Sequence, residues 1–297
     1  IWQRFKGDGR MQAVDFSNCK LSGKYYGGSE RKLGIVLNGE DYMLKFQKQT
    51  AFGRRNNHIS EYLGSHIFEL CGFSAHKTFL GFWNYEQVVA CKDFNVSGKQ
   101  FVPFNEVGES TLDQDKEEYQ YDYKDIMQML RDNSKLTNVK ETISAFWEIY
   151  VIDALLGNFD RHGSNWGFIK ENNCYSMAPV FDNGSSLYPA LVDENEMKHI
   201  MKSQEETDKR ILAFPTSQVK LNGKKSSYYE VIYSMEFPEC NEALRNVYQR
   251  IGMGNIQKLI EGTPLISDTQ KMFYMHMLQA RYEKIIKASY DRLIQRG

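Results

Sequence analysis

The chain has 297 residues, of which 41% are hydrophobic and 13% aromatic, and its formal net charge is -1 at pH 7. A chain of this length and apolar content can bury one large core or two smaller ones, so the composition excludes general disorder. A charge this close to zero supplies no global field that would draw the chain to nucleic acid or to an anionic membrane, and we expect neither partner.

The cysteines are scattered and never form a Cys-x-x-Cys pair, which predicts neither a disulfide framework nor a zinc knuckle. The histidines show no metal-ligand spacing, and we expect those outside the motif described below to be structural. No basic region followed by an apolar run opens the chain, and no stretch has the apolar length of a membrane span. We therefore expect a cytoplasmic protein, with export as an effector as the alternative. The residues concerned are Cys19, Cys71, Cys91, Cys174, Cys240, His58, His66, His76, His199 and His276.

The first elements along the chain read as strands. Residues 1–10 precede Met11, and we interpret them as upstream residues or as an addition for expression. Two apolar runs, 35–37 and 42–44, flank Asn38-Gly39, a strong signal for a two-residue hairpin. This hairpin places Lys45 on a strand.

A helix and a second pair of strands follow the hairpin. Ser60 can cap a helix with apolar residues at helical spacing, which puts Glu61 in the first turn and ends at Gly72. Residues 78–82 and 87–92 read as strands. From there the chain is mostly helical, so we expect a first lobe over 11–93 and a second over 94–297.

The most apolar helix of the chain, 142–156, which Gly157 ends, should be the buried spine of the second lobe. After Asn165 comes a short strand, 166–169, and then a return strand that reaches 180–181. A hairpin of this kind would bring Asp182 back beside Asn165.

Asp160, Asn165 and Asp182 have the pattern of a phosphotransferase. Phosphoryl transfer needs a carboxylate that orients or deprotonates the acceptor, metal ligands that bridge the phosphates, and a cation on the phosphates. Asp160 and Asn165 are separated by the same offset as the catalytic Asp and metal-binding Asn of the protein-kinase loop H-R-D-x-x-x-x-N. Asp182 suits a second magnesium ligand, because Mg²⁺ prefers oxygen.

The first lobe has candidates for the remaining parts. Lys45 can reach the phosphates as a point charge, and Glu61 on the next helix can hold it in place. The run Gly27-Gly28-Ser29 offers backbone amides that can approach phosphate oxygens. Taken singly, each of these residues is as compatible with a surface charge or an ordinary turn.

Two neighbours of Asp160 have open roles. Histidine is a common general base, so His162 could act as one, but Asp160 already fills that role, and we expect His162 to support the loop. Arg161 could bind a phosphate group, or it could brace Asp160 or a neighbouring carbonyl.

These motifs resemble those of HipA-like serine/threonine kinases, and within them a compact stand-alone branch. The catalytic segment is Gly-Asn-Phe-Asp-Arg-His-Gly-Ser-Asn over 157–165, and the metal-binding segment is Ala-Pro-Val-Phe-Asp-Asn-Gly-Ser-Ser-Leu over 178–187. The resemblance extends to 42–46, 60–62, 88–94 and 166–168.

The resemblance implies an α+β, two-lobed protein-kinase-like fold, with a small β-rich N-lobe that contains one helix and a larger, mainly helical C-lobe. It implies ATP held between the lobes, adenine contacts from the backbone at Ala90, Cys91 and Lys92, and Mg²⁺ as the metal. In this interpretation Asp160 is the catalytic base and Lys45 pairs with Glu61.

Two further properties follow from the resemblance. Toxin members of the family phosphorylate a serine of their own in or beside the phosphate-binding loop, which makes Ser29 the first candidate here and Ser22 the second. The toxin form also has an additional N-terminal subdomain that docks on a DNA-binding antitoxin. This chain has too few residues before its phosphate loop to build one, so we expect no HipB-type partner by that route, while the protein substrate is unknown.

Two alternatives stay open at this point. Phosphoinositide kinases also use an Asp-Arg-His-x-x-Asn loop, so a lipid or small-molecule kinase is one of them, although those sequences usually continue to Asp-Phe-Gly rather than Phe181-Asp182-Asn183-Gly184. The other is a nucleotide-binding pseudokinase that acts as an interaction module. The presence of Asp160, Asn165 and Asp182 together stands against it.

Overall fold

The computed structural model of the protein describes residues 12–28, 30–51, 53–94, 98–109, 122–132, 136, 138–172, 174–221 and 223–296, with the backbone alone at 108 and 109. The interpretation of residues 1–10 and the predictions for Ser29 therefore lie outside the described residues.

The described elements up to residue 103 are strands with one helix among them, and those after it are mainly helices. The strands are β1 (Val14–Asp15), β2 (Lys20–Leu21), β3 (Lys32–Leu37), β4 (Glu40–Phe46), β5 (Gln49–Thr50), β6 (Gly53–Arg54), β7 (Thr78–Trp83), β8 (Glu86–Lys92), β9 (Gln100–Pro103), β10 (Gly167–Glu171), β11 (Cys174–Met177), β12 (Thr216–Leu221) and β13 (Lys224–Ser227). The helices are α1 (Asn57–Leu70), α2 (Phe104–Glu109), α3 (Tyr123–Asp132), α4 (Val139–Leu156), α5 (Glu194–Lys202), α6 (Gln204–Asp208), α7 (Tyr228–Ser234), α8 (Pro238–Tyr248), α9 (Met253–Gly262), α10 (Asp268–Arg281) and α11 (Ala288–Arg296), with π-helical segments at Lys209–Ala213 and Tyr282–Lys287.

The chain divides into two compact units. The first comprises Ile1–Phe94, Asn183–Gln204 and Gly252–Met277, and the second comprises Asn95–Asp182, Glu205–Ile251 and Leu278–Gly297. The sequence-based division at 93/94 treats everything after it as one lobe and does not foresee that two later segments join the first unit.

The first unit is built on a sheet with strand order β1-β7-β8-β4-β3-β2. β1 pairs with β7 in parallel, and the other neighbours are antiparallel. Asn38 and Gly39 join β3 to β4 with φ of 53° and 79°, as a two-residue hairpin loop requires, so the predicted hairpin is confirmed.

Strand alternation separates the two faces of this sheet. Ile35, Tyr42, Leu44 and Ala90 point into a buried apolar cluster on one face. Lys45 points to the opposite face, where α1 packs on β7 and β8. A charged side chain thus lies between the apolar residues Leu44 and Phe46, because neighbouring side chains on a strand point to opposite faces.

Helix α1 begins earlier than predicted. Its first residue is Asn57, and Ser60 lies inside the helix, where its N–H donates to the carbonyl of Asn56 at 3.0 Å. The Asn57 side chain bonds the backbone of Lys48 and Phe46, which ties the start of the helix to the end of β4. The predicted cap at Ser60 is wrong because this tertiary anchor, rather than a serine hydroxyl, sets where the helix starts.

In the second unit, α4 runs through the core and is buried around most of its circumference. It ends as predicted at Gly157, whose φ of 64° places it in the left-handed region and whose N–H donates to the carbonyl of Asp153. β10 and β11 form the expected hairpin, but β11 ends at Met177 and not at Phe181. Pro179 has no N–H to donate, so the ladder cannot continue along this segment.

Among the described residues, no helix has both the length and the apolar character that crossing a membrane demands. All of the cysteines are free thiols.

Candidate active site

The predicted catalytic loop starts directly after α4 and is anchored by Asn158. The Asn158 side chain is fully buried and donates to Oδ1 of Asp153 at 3.0 Å, while its own oxygen accepts from the N–H of Asp160 at 3.1 Å. Its carbonyl accepts from the Tyr228 hydroxyl at 2.6 Å. The backbone that leads to Asp160 is therefore held by buried hydrogen bonds on both sides.

Arg161 braces the loop from inside. Its Nε and Nη2 each donate to an oxygen of Asp153 at 2.9 Å, and both side chains are buried. Its Nη1 donates to the carbonyl of Asn165 at 3.1 Å and also to the carbonyl of Phe181. Of the two roles left open for Arg161, the structure supports bracing of neighbouring carbonyls.

Burial by itself would lower the pKa of Arg161, but the charge of Asp153 and the hydrogen bonds to it outweigh burial and raise that pKa. The nearby charge of Asp182 acts in the same direction. The guanidinium is thus a permanent cation at the point where the two predicted motifs meet. Sequence reasoning missed Asp153, although an acidic residue in the most apolar stretch of this helix was a usable signal.

Asp160 lies on the outer side of the loop with 42% of its side chain exposed, so a substrate hydroxyl can reach its carboxylate. Nε2 of His162 lies 4.0 Å from Oδ1 of Asp160, and Nδ1 accepts the N–H of Ser164 at 3.2 Å. In the neutral ring the proton then sits on Nε2, toward Asp160. This arrangement fits loop support by His162, as expected.

Asn165 closes the loop onto Asp160. Its side-chain nitrogen donates to the Asp160 carbonyl at 2.8 Å, and its backbone N–H donates to the carbonyl of His162 at 2.8 Å. The amide oxygen is then the atom of Asn165 that can serve a cation.

Asp182 follows Phe181, whose carbonyl shares the Arg161 nitrogen with Asn165. Its φ of 54° is unusual for a residue other than glycine and marks a sharp turn in the chain. The predicted return of this segment to the catalytic loop is therefore present, although a shared guanidinium and not a continued strand provides it. A carboxylate and an amide oxygen form a hard donor set, and this set fits Mg²⁺.

In the first unit, Lys45 and Glu61 form the expected pair. Nζ of Lys45 lies 2.9 Å from Oε2 of Glu61, and the two side chains are almost completely buried. Strand β4 presents the lysine and α1 presents the carboxylate. A buried ammonium ion held in this way is a fixed point charge.

Asn183 and Gly184 pack on α1 in the same unit. Asn183 is fully buried and donates to Oγ of Ser65 at 3.1 Å. A Cβ on Gly64 would lie 2.5 Å from the Cβ of Asn183, so only glycine leaves room for this contact. A Cβ on Gly184 would lie 3.5 Å from Oε2 of Glu61. The residues after Asp182 are therefore fitted against the helix that carries Glu61.

Gly27 and Gly28 lie at the surface, and Gly28 has a φ of 102°. Nζ of Lys32 donates to the carbonyl of Gly27 and fills the space where a Cβ on Gly28 would lie. Lys32 is also the cross-strand partner of Lys45, so the two cations share one face of the sheet. Sequence reasoning missed Lys32, which the hairpin register could have revealed.

Ser22, the second candidate for self-phosphorylation, is half-buried beside Gly34. Its N–H donates to the carbonyl of Gly34 at 2.9 Å, and its Oγ accepts the N–H of Lys24 at 3.3 Å. A Cβ on residue 34 would lie 2.3 Å from this Oγ. Gly34 thus makes the space that the Ser22 hydroxyl occupies.

The structure does not support the adenine contacts expected at Ala90, Cys91 and Lys92. β8 is an interior strand, so its backbone groups are used by β4 and β7. The N–H of Lys92 donates to the carbonyl of Lys77, and the carbonyl of Lys92 accepts from His76. Backbone contacts to a base would require that these bonds be given up.

The comparisons with known proteins agree with this arrangement. The model of the HipA-like C-terminal domain family matches residues 25–251, and the chain belongs to this family. Among curated proteins, it is 34% identical over 294 residues to the serine/threonine-protein kinase CtkA of Helicobacter pylori strain J99, covering 96% of this chain and 90% of the relative.

Solved structures give the same result. The crystal structure of a Helicobacter pylori proinflammatory kinase CtkA matches with a TM-score of 0.90 and 33% identity, over 96% of this chain and 99% of that one. HipA of Shewanella oneidensis MR-1, solved with HipB and operator DNA, matches with a TM-score of 0.58 and 14% identity, over 92% and 68% of the two chains, and supports the fold alone. The expected α+β kinase-like fold is confirmed, and the similarity places the chain among the serine/threonine protein kinases of the CtkA and HipA type.

Proposed function

We propose that this protein transfers the γ-phosphate of ATP, with Mg²⁺, to a serine or threonine hydroxyl of a protein substrate, and that Asp160 is its catalytic base. The observation that carries the proposal is the loop 157–165. Asn158, Asp153 and Arg161 hold its backbone from the buried side, while the Asp160 carboxylate stays exposed. A rigid loop with one accessible carboxylate is what in-line attack by a hydroxyl needs.

Asp160 accepts a hydrogen bond from the acceptor hydroxyl and directs its oxygen at the γ-phosphorus. It takes the hydroxyl proton as the new P–O bond forms and the bond from the γ-phosphorus to the departing ADP breaks. His162, with Nε2 4.0 Å from the carboxylate, limits the positions that Asp160 can adopt. The carbonyl of Asp160 is bonded by the Asn165 side chain, so the base and the metal ligand are positioned by one another.

Asn165 and Asp182 would hold the magnesium ion through the amide oxygen and a carboxylate oxygen. When bound, Mg²⁺ neutralises charge on the phosphate oxygens during transfer. Arg161 keeps the two ligand-bearing segments together by bonding the carbonyls of Asn165 and Phe181.

Lys45 would bind the phosphate groups of ATP, and Glu61 would hold its ammonium group in position. Lys32 offers a second cation on the same face of the sheet. Because Lys32 also bonds the carbonyl of Gly27, it would set the position of the glycine loop along the nucleotide.

The test is labelling of the purified chain with γ-labelled ATP and Mg²⁺, alone and with generic protein substrates. Asp160→Asn should lower labelling by about 10²- to 10⁴-fold, the contribution expected of a general base. The matched control is Asp268→Asn, because Asp268 is 96% exposed and only weakly paired. Equal labelling by wild type and Asp160→Asn would show that Asp160 is not the catalytic base. ATP binding without any labelling would favour the pseudokinase instead.

We further propose that the enzyme phosphorylates itself at Ser29 or Ser22. The hydroxyl of Ser22 lies in the segment that leads into the glycine run. Intact mass and peptide mapping after incubation with ATP locate the phosphate, and Ser22→Ala and Ser29→Ala should each remove their own site. Phosphate found only elsewhere in the chain contradicts this part of the proposal.

A further inference from the structure

Three buried side chains from separate elements of the first unit lie close together, and one of them is Glu61 of the Lys45–Glu61 pair. A carboxylate oxygen of Glu61, a ring nitrogen of His76 and Sγ of Cys91 all lie within 4.8 Å of one another. Their residues are 0%, 6% and 0% exposed. A carboxylate, an imidazole and a thiol so close together and so deeply buried form a donor set for a transition metal.

The fold explains why these residues meet. Cys91 lies on β8 on the same face as Lys45, because Lys45 pairs with Val89 two residues before Cys91. Helix α1 packs over this face and contributes Glu61. His76 comes from the loop between α1 and β7, and its Nε2 is 2.6 Å from the carbonyl of Lys92 at the end of β8.

That last contact sets the state of the His76 ring. A carbonyl oxygen can only accept, so Nε2 carries the proton and Nδ1 carries the lone pair. Metal-binding histidines are oriented in the same manner, with one ring nitrogen donating to a carbonyl and the other facing the ion. His76 is thus already in the tautomer that ligates through Nδ1.

Two buried polar atoms at this cluster have no hydrogen-bond partner among the described residues. Oε2 of Glu61 accepts from Lys45, but Oε1 is buried and has no hydrogen-bond partner among the described residues. Oγ1 of Thr78, the residue directly opposite Cys91 in the ladder, is likewise buried without a partner in the described part of the chain. A buried carboxylate oxygen left in this state is costly, which makes bound metal a natural partner for it.

We propose that Glu61, His76 and Cys91 bind a zinc ion, with water as the fourth ligand. Three protein ligands and an open position are typical of non-structural zinc sites. Tetrahedral zinc places its ligand atoms roughly 3.3–3.8 Å apart, so side-chain shifts of about 1 Å complete the site. Binding releases the Cys91 thiol proton to solvent, and the thiolate and the carboxylate together neutralise the ion. The Thr78 hydroxyl can then donate to the thiolate.

The first measurement is zinc titration of the whole chain against a chromophoric chelator, without nucleotide. One zinc ion should bind per chain, and excess Mg²⁺ should not displace it, because thiolate and imidazole favour the softer ion. His76→Gln and Cys91→Ser should each weaken binding by more than about tenfold, the scale on which even outer-shell partners of a metal act.

The matched controls are His66→Gln and Cys174→Ser. His66 lies on α1 and is 25% exposed, and Cys174 is an exposed thiol. Both should leave the affinity unchanged. If Cys174→Ser abolishes binding, or if His76→Gln and Cys91→Ser bind as tightly as wild type, the proposed site is wrong.

A second measurement does not depend on variants of the cluster. Co²⁺ bound to the Cys174→Ser chain, which keeps all three ligands, should show a thiolate-to-cobalt charge-transfer band and the visible bands of a four-coordinate ion. A spectrum without the thiolate band contradicts the proposal even if His76→Gln and Cys91→Ser fail to fold.

The site is linked to Lys45 through the shared carboxylate. Removal of the competing ammonium by Lys45→Met should tighten zinc binding on the order of tenfold, since a nearby like charge is lost. By reciprocity, bound zinc weakens the hold of Glu61 on Lys45. Unchanged zinc affinity in Lys45→Met would show that the ion does not use Glu61. None of these measurements involves phosphoryl transfer, so they stand whether or not the kinase proposal holds.

Discussion

Two buried ion pairs, Lys45–Glu61 in the first unit and Arg161–Asp153 in the second, are built differently. In Lys45–Glu61, a single bond of 2.9 Å joins the partners, and Oε1 of the carboxylate has no hydrogen-bond partner in the described residues. In Arg161–Asp153, both carboxylate oxygens accept from the guanidinium, and one of them also accepts from Asn158. The remaining nitrogen of Arg161 bonds two backbone carbonyls.

The difference separates a structural pair from a functional one. Two buried charges repay their desolvation only when further hydrogen bonds satisfy them, and the Arg161 pair meets that condition. It therefore fixes the backbone of the catalytic loop. In the Lys45 pair, Oε1 of Glu61 has no hydrogen-bond partner among the described residues, which suits a carboxylate that can serve a second ligand.

The largest effect should come from Asp153→Asn. Arginine cannot lose its proton, so the variant leaves a buried cation without its carboxylate. We expect the free energy of unfolding to fall by about 3–5 kcal/mol, measured by urea denaturation. A loss no larger than that of the exposed control Asp268→Asn would mean that Arg161 finds another partner and that the pair is no brace.

Lys45→Met should act mainly on activity. Loss of a fixed cation on the phosphates should reduce phosphotransfer by about 10²- to 10³-fold, measured as labelling rate at saturating ATP. We expect it to destabilise the chain less than Asp153→Asn does. Equal destabilisation by the two variants would show that the two ion pairs contribute equally to stability and do not differ as argued above.

His58 makes the first unit sensitive to acid. Burial lowers the pKa of His58 from 6.5 to about 4, although the hydrogen bond to Gln87 opposes this. Because the unfolded chain binds the proton more readily, the contribution of neutral His58 is complete above pH 6.5 and is lost as the pH falls toward 4. Wild type should therefore lose about 2 kcal/mol more than His58→Gln between pH 7.5 and pH 5.

Urea denaturation of both proteins at the two pH values measures this difference directly. Other groups titrate in the same window, and the variant subtracts them. Parallel loss of stability in wild type and His58→Gln would show that His58 is protonated in the folded state as well.

The smallest effect should come from Lys32→Gln. Lys32 is only half-buried, so solvent screens its charge, and we expect KM for ATP to rise about two- to fivefold with little change in kcat. Steady-state kinetics at two salt concentrations check this, because the effect should shrink as salt rises. A loss as large as that of Lys45→Met would make Lys32 an equal partner in phosphate binding.

Local features of the fold were readable from the sequence where one short segment contains the cause. Asn38-Gly39 predicted the hairpin because few other residues adopt positive φ at both positions of such a loop. Gly157 predicted the end of α4 for the same reason. The predicted start of α1 was wrong, because the hydrogen bonds of the Asn57 side chain to the end of β4 determine where the helix begins. The predicted return strand was longer than β11. The predicted adenine contacts lie on β8, an interior strand of the sheet, and the sequence did not reveal its pairing on both sides.

The sequence by itself determined the family and predicted a catalytic loop with Asp160, Asn165 and Asp182, because these depend on residues a few positions apart on one loop or hairpin. Only the tertiary structure decided the partners of the buried groups. In the sequence, Asp153 is an acidic residue of a mostly apolar helix with no evident role, and only the structure shows that it pairs with Arg161. Likewise, Glu61, His76 and Cys91 have no spacing that indicates a metal site, and they meet because a helix, a loop and a strand pack on one face of a sheet.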